Sequence, residues 1–118
     1  AFEAFEYSTT GNTEDESAHG EHLGCYRDAG NDRLFGVSFI SAGGNTPESC
    51  RATCGSGYAF YGLQYGRECF CGTTKEDFSK HGESGACNIR CSGDSDLTCG
   101  GFFAMNVFSM GGSISDGP

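Results

Sequence analysis

The residues of this chain with the richest chemistry are its eight cysteines: Cys25, Cys50, Cys54, Cys69, Cys71, Cys87, Cys91 and Cys99. Thiols can hold zinc, cycle between redox states, or pair as structural disulfides. Zinc sites favour CxxC knuckles. Here Cys50 and Cys54 form CxxxC, and Cys69 and Cys71 form CxC. Of the three histidines, His19 and His22 lie near the N-terminus and His81 stands alone. A redox-active thiol needs a neighbour that lowers its pKa, and the nearest candidate to the CxC is Arg67. An even number of cysteines in a short chain points instead to structural disulfides. The expectation is therefore no metal and no cofactor.

The elements that would position these sulfurs can be read from the same stretches. In NTPESCRATCG, Thr46 suits an N-cap and Pro47 the first helical position. Glu48 favours the positive helix end and Gly55 a stop, so the spacing predicts a helix over 47–54. Cys50 and Cys54 then share one helix face. In YGLQYGRECFCG, Cys69 and Cys71 are two apart on an extended segment and also share one face. A helix face with two thiols laid over a strand face with two thiols suggests a double staple, Cys50–Cys69 and Cys54–Cys71. Periodicity fits the crossed arrangement equally well. Cys91–Cys99 would close a small loop and Cys25–Cys87 would span the domain, in a set of on the order of 100 possible pairings. Each bridge is worth about 2–5 kcal/mol.

The rest of the chain reads as LGCYRD (Leu23–Asp28), a first strand, and RLFGVSFI (Arg33–Ile40), a second extended stretch. The stretch from Tyr58 is a strand pair or a long bent strand with Gly62 and Gly66 at bends or bulges. FFAMNVF (Phe102–Phe108) is a last strand. Residues 72–100 read mostly as loops, and nothing repeats.

One domain is the natural count for 118 residues. Residues 1–22 read as a flexible acidic N-terminal arm, 23–109 as the domain, and 110–118 as a loose tail. With twenty glycines and no tryptophan, so small a domain needs disulfides to hold it, which implies an oxidising, extracellular setting. No apolar run approaches the roughly 20 residues of a spanning helix. The lack of a signal peptide is what a mature or trimmed secreted chain would show. The net charge of −9 at pH 7 resides mostly in the first residues, and the cysteine-bearing part is near neutral. No basic stripe exists to hold phosphates, so nucleic acid is not expected as a partner.

The motifs LGCYRD, TPESCRATC, YGLQYGRECFCG and CNIRCSGDSDLTCGG, followed by a final aromatic strand, resemble the WSC domain over about residues 22–109. The resemblance implies an α+β, disulfide-rich, PAN/apple-like fold, with a short helix packed on a twisted antiparallel sheet. It implies the disulfide order first with sixth, second with fourth, third with fifth and seventh with eighth. These are Cys25–Cys87, Cys50–Cys69, Cys54–Cys71 and Cys91–Cys99. It further implies a secreted or cell-surface carbohydrate-binding module for neutral cell-wall polysaccharide of β-glucan or xylan type. The alternative is a protein-interaction or adhesion module. Such a module would be tandem or fused to other domains, with no membrane insertion of its own.

Aromatic faces meet the C–H groups of a sugar, and planar polar side chains read its hydroxyls. The candidates are Tyr26, Tyr61, Gln64, Tyr65, Arg67, Glu68, Asp94 and Asp96. Each has a plainer reading. Tyr61 and Tyr65 could be half buried, and Arg67 and Glu68 ordinary solvated charges. Phe60, Phe70 and Phe102 are expected in the core. Asp94 and Asp96 could hold calcium but better suit capping the N–H groups of their loop. No nucleophile elbow and no marked pair of catalytic acids is present, so the domain is not expected to be an enzyme.

Overall fold

The computed structural model of the chain describes residues 21–41 and 43–110. Apart from Glu21, His22 and Met110, the expected arm and tail lie outside the described residues. Among the described residues, seven strands and one α-helix follow in chain order: β1 (His22–Arg27), β2 (Val37–Ile40), α1 (Pro47–Cys54), β3 (Phe60–Gln64), β4 (Glu68–Gly72), β5 (Arg90–Cys91), β6 (Asp94–Thr98) and β7 (Ala104–Ser109). Five strands form one sheet in the order β1-β7-β3-β4-β2, and β5 and β6 form a separate hairpin. All pairings within these sheets are antiparallel.

The helix forms where its caps predict. Thr46 Oγ1 accepts from the Ser49 N–H at 3.0 Å, and Ser49 Oγ accepts from the Thr46 N–H at 2.9 Å. This reciprocal pair satisfies two donors at the helix start. Cys50 and Cys54 face the sheet, and both are buried. There the structure joins Cys50 to Cys69 and Cys54 to Cys71, pinning α1 onto β4. Cys91 joins Cys99 across the small hairpin, and Cys25 joins Cys87.

The sheet buries both faces. On the helix side, six cysteines pack with Tyr61, Leu63 and Met110. On the other side, Leu34, Phe35, Phe70, Met105 and Val107 form a second cluster. Three sequence expectations change as a result. The second extended stretch is shorter than expected, Val37–Ile40 rather than Arg33–Ile40, because Leu34 and Phe35 turn inward to cap the second face. Each is 1% exposed. Gly62 is not a bend but an interior strand residue, where a Cβ would collide with the Met105 side chain crossing it. The last strand starts at Ala104, and Phe102–Phe103 form a turn before it, closed by Gly101 N–H to Ala104 O at 2.8 Å.

Candidate functional site

The link between β3 and β4 builds the first wall of the site. Strand alternation puts Tyr61 and Leu63 on the helix side of β3 and Gln64 on the other, so an unbroken strand would turn Tyr65 toward the helix. The chain leaves the strand instead. Tyr65 takes φ 55° and Gly66 φ 78°, and the Tyr65 ring ends beside Phe102, Gln64 and Glu68 on the far face. A glycine is required at 66: φ is left-handed, and a Cβ would stand 2.8 Å from the Arg90 carbonyl oxygen. The turn is fastened from several directions. The N–H groups of Tyr65 and Gly66 donate to Gly101 O at 3.3 Å and Cys99 O at 2.9 Å. The Arg67 and Gly66 carbonyls accept from Ser41 N–H at 2.8 Å and Ser92 N–H at 2.9 Å. Buried Asn45 adds its amide to the Gly66 and Glu68 carbonyls at 3.4 and 3.2 Å.

The second wall is the Phe102–Phe103 turn. Phe103 has φ 49°, and it and Tyr65 are the non-glycine residues with positive φ among those described. Left-handed backbone costs a residue with a Cβ roughly 1–2 kcal/mol, and such strain persists where the surroundings fix it, often at functional sites. Both strained residues are aromatic, and both line one concavity of about 210 Å3, with Arg33, Gln64, Glu68 and Phe102. Phe102 is 69% exposed, Tyr65 44% and Phe103 38%.

The floor is polar and held from below. Asp28 is 3% exposed, and its Oδ1 accepts from the Ala29 and Leu34 N–H groups, both at 2.9 Å. Its Oδ2 takes Arg33 Nη1 at 2.8 Å. With the Gln64 amide oriented by its neighbours, Nε2 donates to Asp28 Oδ2 at 2.9 Å and Oε1 accepts from Arg33 Nη1 at 3.2 Å. The guanidinium also stands 5.5 Å from the Phe70 ring centre and 5.6 Å from that of Phe103, a cation–π arrangement on both rings. Arg67 stands 5.7 Å over the Tyr65 ring. Asp28 pairs with Arg33, and Glu68 at the wall and Arg67 over Tyr65 add one formal charge of each sign, so the surroundings of the concavity carry little net formal charge.

The structure thus gathers Gln64, Tyr65 and Glu68, with Arg67 behind Tyr65, and leaves the other candidates elsewhere. Tyr61 is wholly buried and stacks on Phe108, centroids 5.0 Å apart. It has no face for a ligand, and burial pushes its phenol up to about 12. Tyr26 packs edge-on against Phe78, its hydroxyl 3.4 Å from the Leu23 carbonyl. Asp94 caps its own loop, Oδ1 accepting the Asp96 N–H at 2.9 Å, and lines a different groove of about 470 Å3 with His22, Glu48 and Asn106. Asp96 is exposed on the same strand. Among the described residues, the metal-ligating atoms that cluster are the sulfurs of Cys50, Cys54 and Cys69. They are close because two disulfides lie side by side. Sequence reasoning missed Arg33 and Phe103, it read Asp28 as bracing a loop, which its bonds to the Ala29 and Leu34 N–H groups do, and it favoured the core for Phe102 over the binding surface. The one available signal was the adjacent pair Phe102–Phe103, since neighbours on a strand cannot both face one core.

A family model described as the WSC domain matches residues 22–101. The chain belongs to the WSC domain family. The WSC domain is 44% identical over 91 residues to xylosyltransferase oxt of Drosophila pseudoobscura pseudoobscura, covering 75% of this chain and 10% of that protein. It is 35% identical over 85 residues to a WSC domain-containing protein of Arthroderma benhamiae, covering 72% of this chain and 12% of that protein. Kremen protein 1 of Mus musculus is 35% identical over 102 residues, covering 80% of this chain and 21% of that protein. The WSC domain thus corresponds to a small part of much longer chains.

Proposed function

We propose that this WSC domain is a non-catalytic module that binds neutral cell-wall polysaccharide of β-glucan or xylan type. Tyr65, Phe102 and Phe103 would meet the C–H faces of the sugar. Glu68, Arg33 and Arg67 would hydrogen-bond its hydroxyls, and Gln64 would hold Arg33 in place from the buried floor. The observation that carries this reading is the coincidence of the two strained aromatic residues at one near-neutral, aromatic-walled concavity. Eight cysteines in four bridges suit an extracellular or cell-surface setting. The much longer relatives suit a module joined to other domains. A site this small yields little surplus free energy, with Kd of about 10 μM to 1 mM, so useful retention would come from linked copies or a linked partner.

A second reading, a protein-interaction or adhesion module, is favoured by β2, which among the described strands pairs on one side only. There Phe39 is 45% exposed and Ile40 72%, and a strand edge can pair with another chain.

Pull-down on insoluble β-1,3-glucan, xylan, chitin and cellulose separates the two. Retention that disappears in Tyr65→Ala and Phe102→Ala is the expected result. Absence of retention on all four polymers defeats the carbohydrate reading, whereas retention unchanged in both variants defeats only the site.

A further inference from the structure

The aromatic walls of the concavity are not parallel. The Tyr65 and Phe102 rings meet at 62° with centroids 6.1 Å apart. Phe102 and Phe103 meet at 73° and 4.7 Å. A polysaccharide lying along a surface needs near-coplanar rings spaced down its length, one for each sugar it stacks. These three rings instead stand edge to face around one point. Arg67 occupies one side of Tyr65 and Arg33 is held against Phe103, which removes further aromatic surface from any extended track. What remains converges on a space of about 210 Å3. Pockets that enclose drug-sized molecules run from about 300 to 1,000 Å3. This one suits a single pyranose ring and the first atoms of its neighbour.

The polar lining points the same way. Gln64 is 2% exposed and its amide is committed to Asp28 and Arg33. Glu68 stays half buried at the wall. An ionised carboxylate only accepts hydrogen bonds. It can take one from a free hydroxyl but none from a glycosidic oxygen. An internal residue keeps its other hydroxyls, but at the linkage position it has a glycosidic oxygen where a terminal residue has a free hydroxyl, and the discrimination applies where Glu68 faces that position. A site built to pair with a hydroxyl discriminates against the analogue that lacks it.

We propose that the concavity takes one terminal sugar residue of a neutral glycan, a chain end or the tip of a branch, rather than a run of internal residues. This rests on the carbohydrate reading above. An end-binder holds one module per unbranched chain whatever the chain length, and its affinity per chain is nearly independent of length. A platform-binder gains affinity with each added residue and accepts several modules on a long chain.

Titration calorimetry of the whole chain with xylo-oligosaccharides and β-1,3-gluco-oligosaccharides, from disaccharide to hexasaccharide, reads both quantities. The expected result is a Kd per chain that changes less than about threefold across the series, where a full tenfold would signal roughly one more productive contact. The expected stoichiometry is one module per chain at every length. Phe102→Ala should abolish the heat of binding, and Ile40→Ser on the β2 edge should leave it unchanged. A gain of about tenfold or more with length, more than one module on the longest chains, or retention on insoluble polymer without binding of any soluble chain overturns the terminal-residue claim and leaves the carbohydrate reading standing. Failure of every soluble and insoluble glycan overturns both.

Discussion

On the helix side of the sheet, Cys50, Cys54, Cys69 and Cys71 bind α1 to β4 through two covalent bridges amid a buried sulfur-rich cluster. On the opposite side, Leu34 and Phe35 fold in from a loop, and a buried carboxylate, Asp28, gathers Arg33 and Gln64. The first face is fastened by bonds that hold whatever the side chains around them do. The second carries the features that cost stability: two aromatic residues at left-handed φ and three exposed rings. A small domain can thus hold a strained, open surface on one side of a sheet when the other side is stapled.

The largest expected effect lies on the stapled face. Replacing Cys50 and Cys69 together by alanine removes a bridge spanning 19 residues and should cost about 3 kcal/mol. Denaturant unfolding measures it, and a cost under about 1 kcal/mol would erase the contrast between the faces. Next is Tyr61 in the same cluster, whose phenol is raised by burial from 10.0 to about 12. A raised folded-state pKa contributes stability that is fully present below about pH 10 and is lost as pH rises through about 12, roughly 2–3 kcal/mol in all. Absorbance titration at 295 nm should show a last-ionising tyrosine that disappears in Tyr61→Phe. If Tyr61→Phe leaves the alkaline end of the curve unchanged, Tyr61 is not buried in this way.

On the pocket face, Asp28→Asn keeps an acceptor for the two loop N–H groups but can set an amide donor against Arg33 and Gln64. It should cost about 1–3 kcal/mol and weaken glycan binding as Arg33 and Gln64 lose their shared anchor. Unchanged binding would show that the hub braces the loop alone. Tyr65→Gly goes in the opposite direction. Relieving left-handed strain should raise stability by up to about 1 kcal/mol while removing binding. A clear loss of stability would mean that the Tyr65 ring is packing rather than display.

Much of this fold was legible in the chain. Thr46, Pro47 and Gly55 bounded the helix because capping is local chemistry. The shared faces of Cys50/Cys54 and Cys69/Cys71 suggested which elements meet, though not which sulfur meets which. The site was only partly legible. Gly66 signalled a break in alternation, but not that Tyr65 would swing to the far face, which depends on bonds from Gly101, Cys99 and Asn45. Tyr61 was misjudged because burial of one strand face is decided by the helix above it. Phe102 was misjudged because its turn is set by the bridge between Gly101 and Ala104, not by hydrophobicity. Asp28 and Arg33 come together with Gln64 from distant parts of the chain, and no spacing rule announces that meeting.

If the exposed rings of the second face serve binding rather than stability, Phe102→Ala should separate the two. At 69% exposure the ring contributes little to the core, so the change in unfolding free energy should fall within about 0.5 kcal/mol. Measured on the same sample, retention on β-1,3-glucan or xylan should drop at least about tenfold. Undiminished retention on a polymer that the unaltered chain binds would contradict the account.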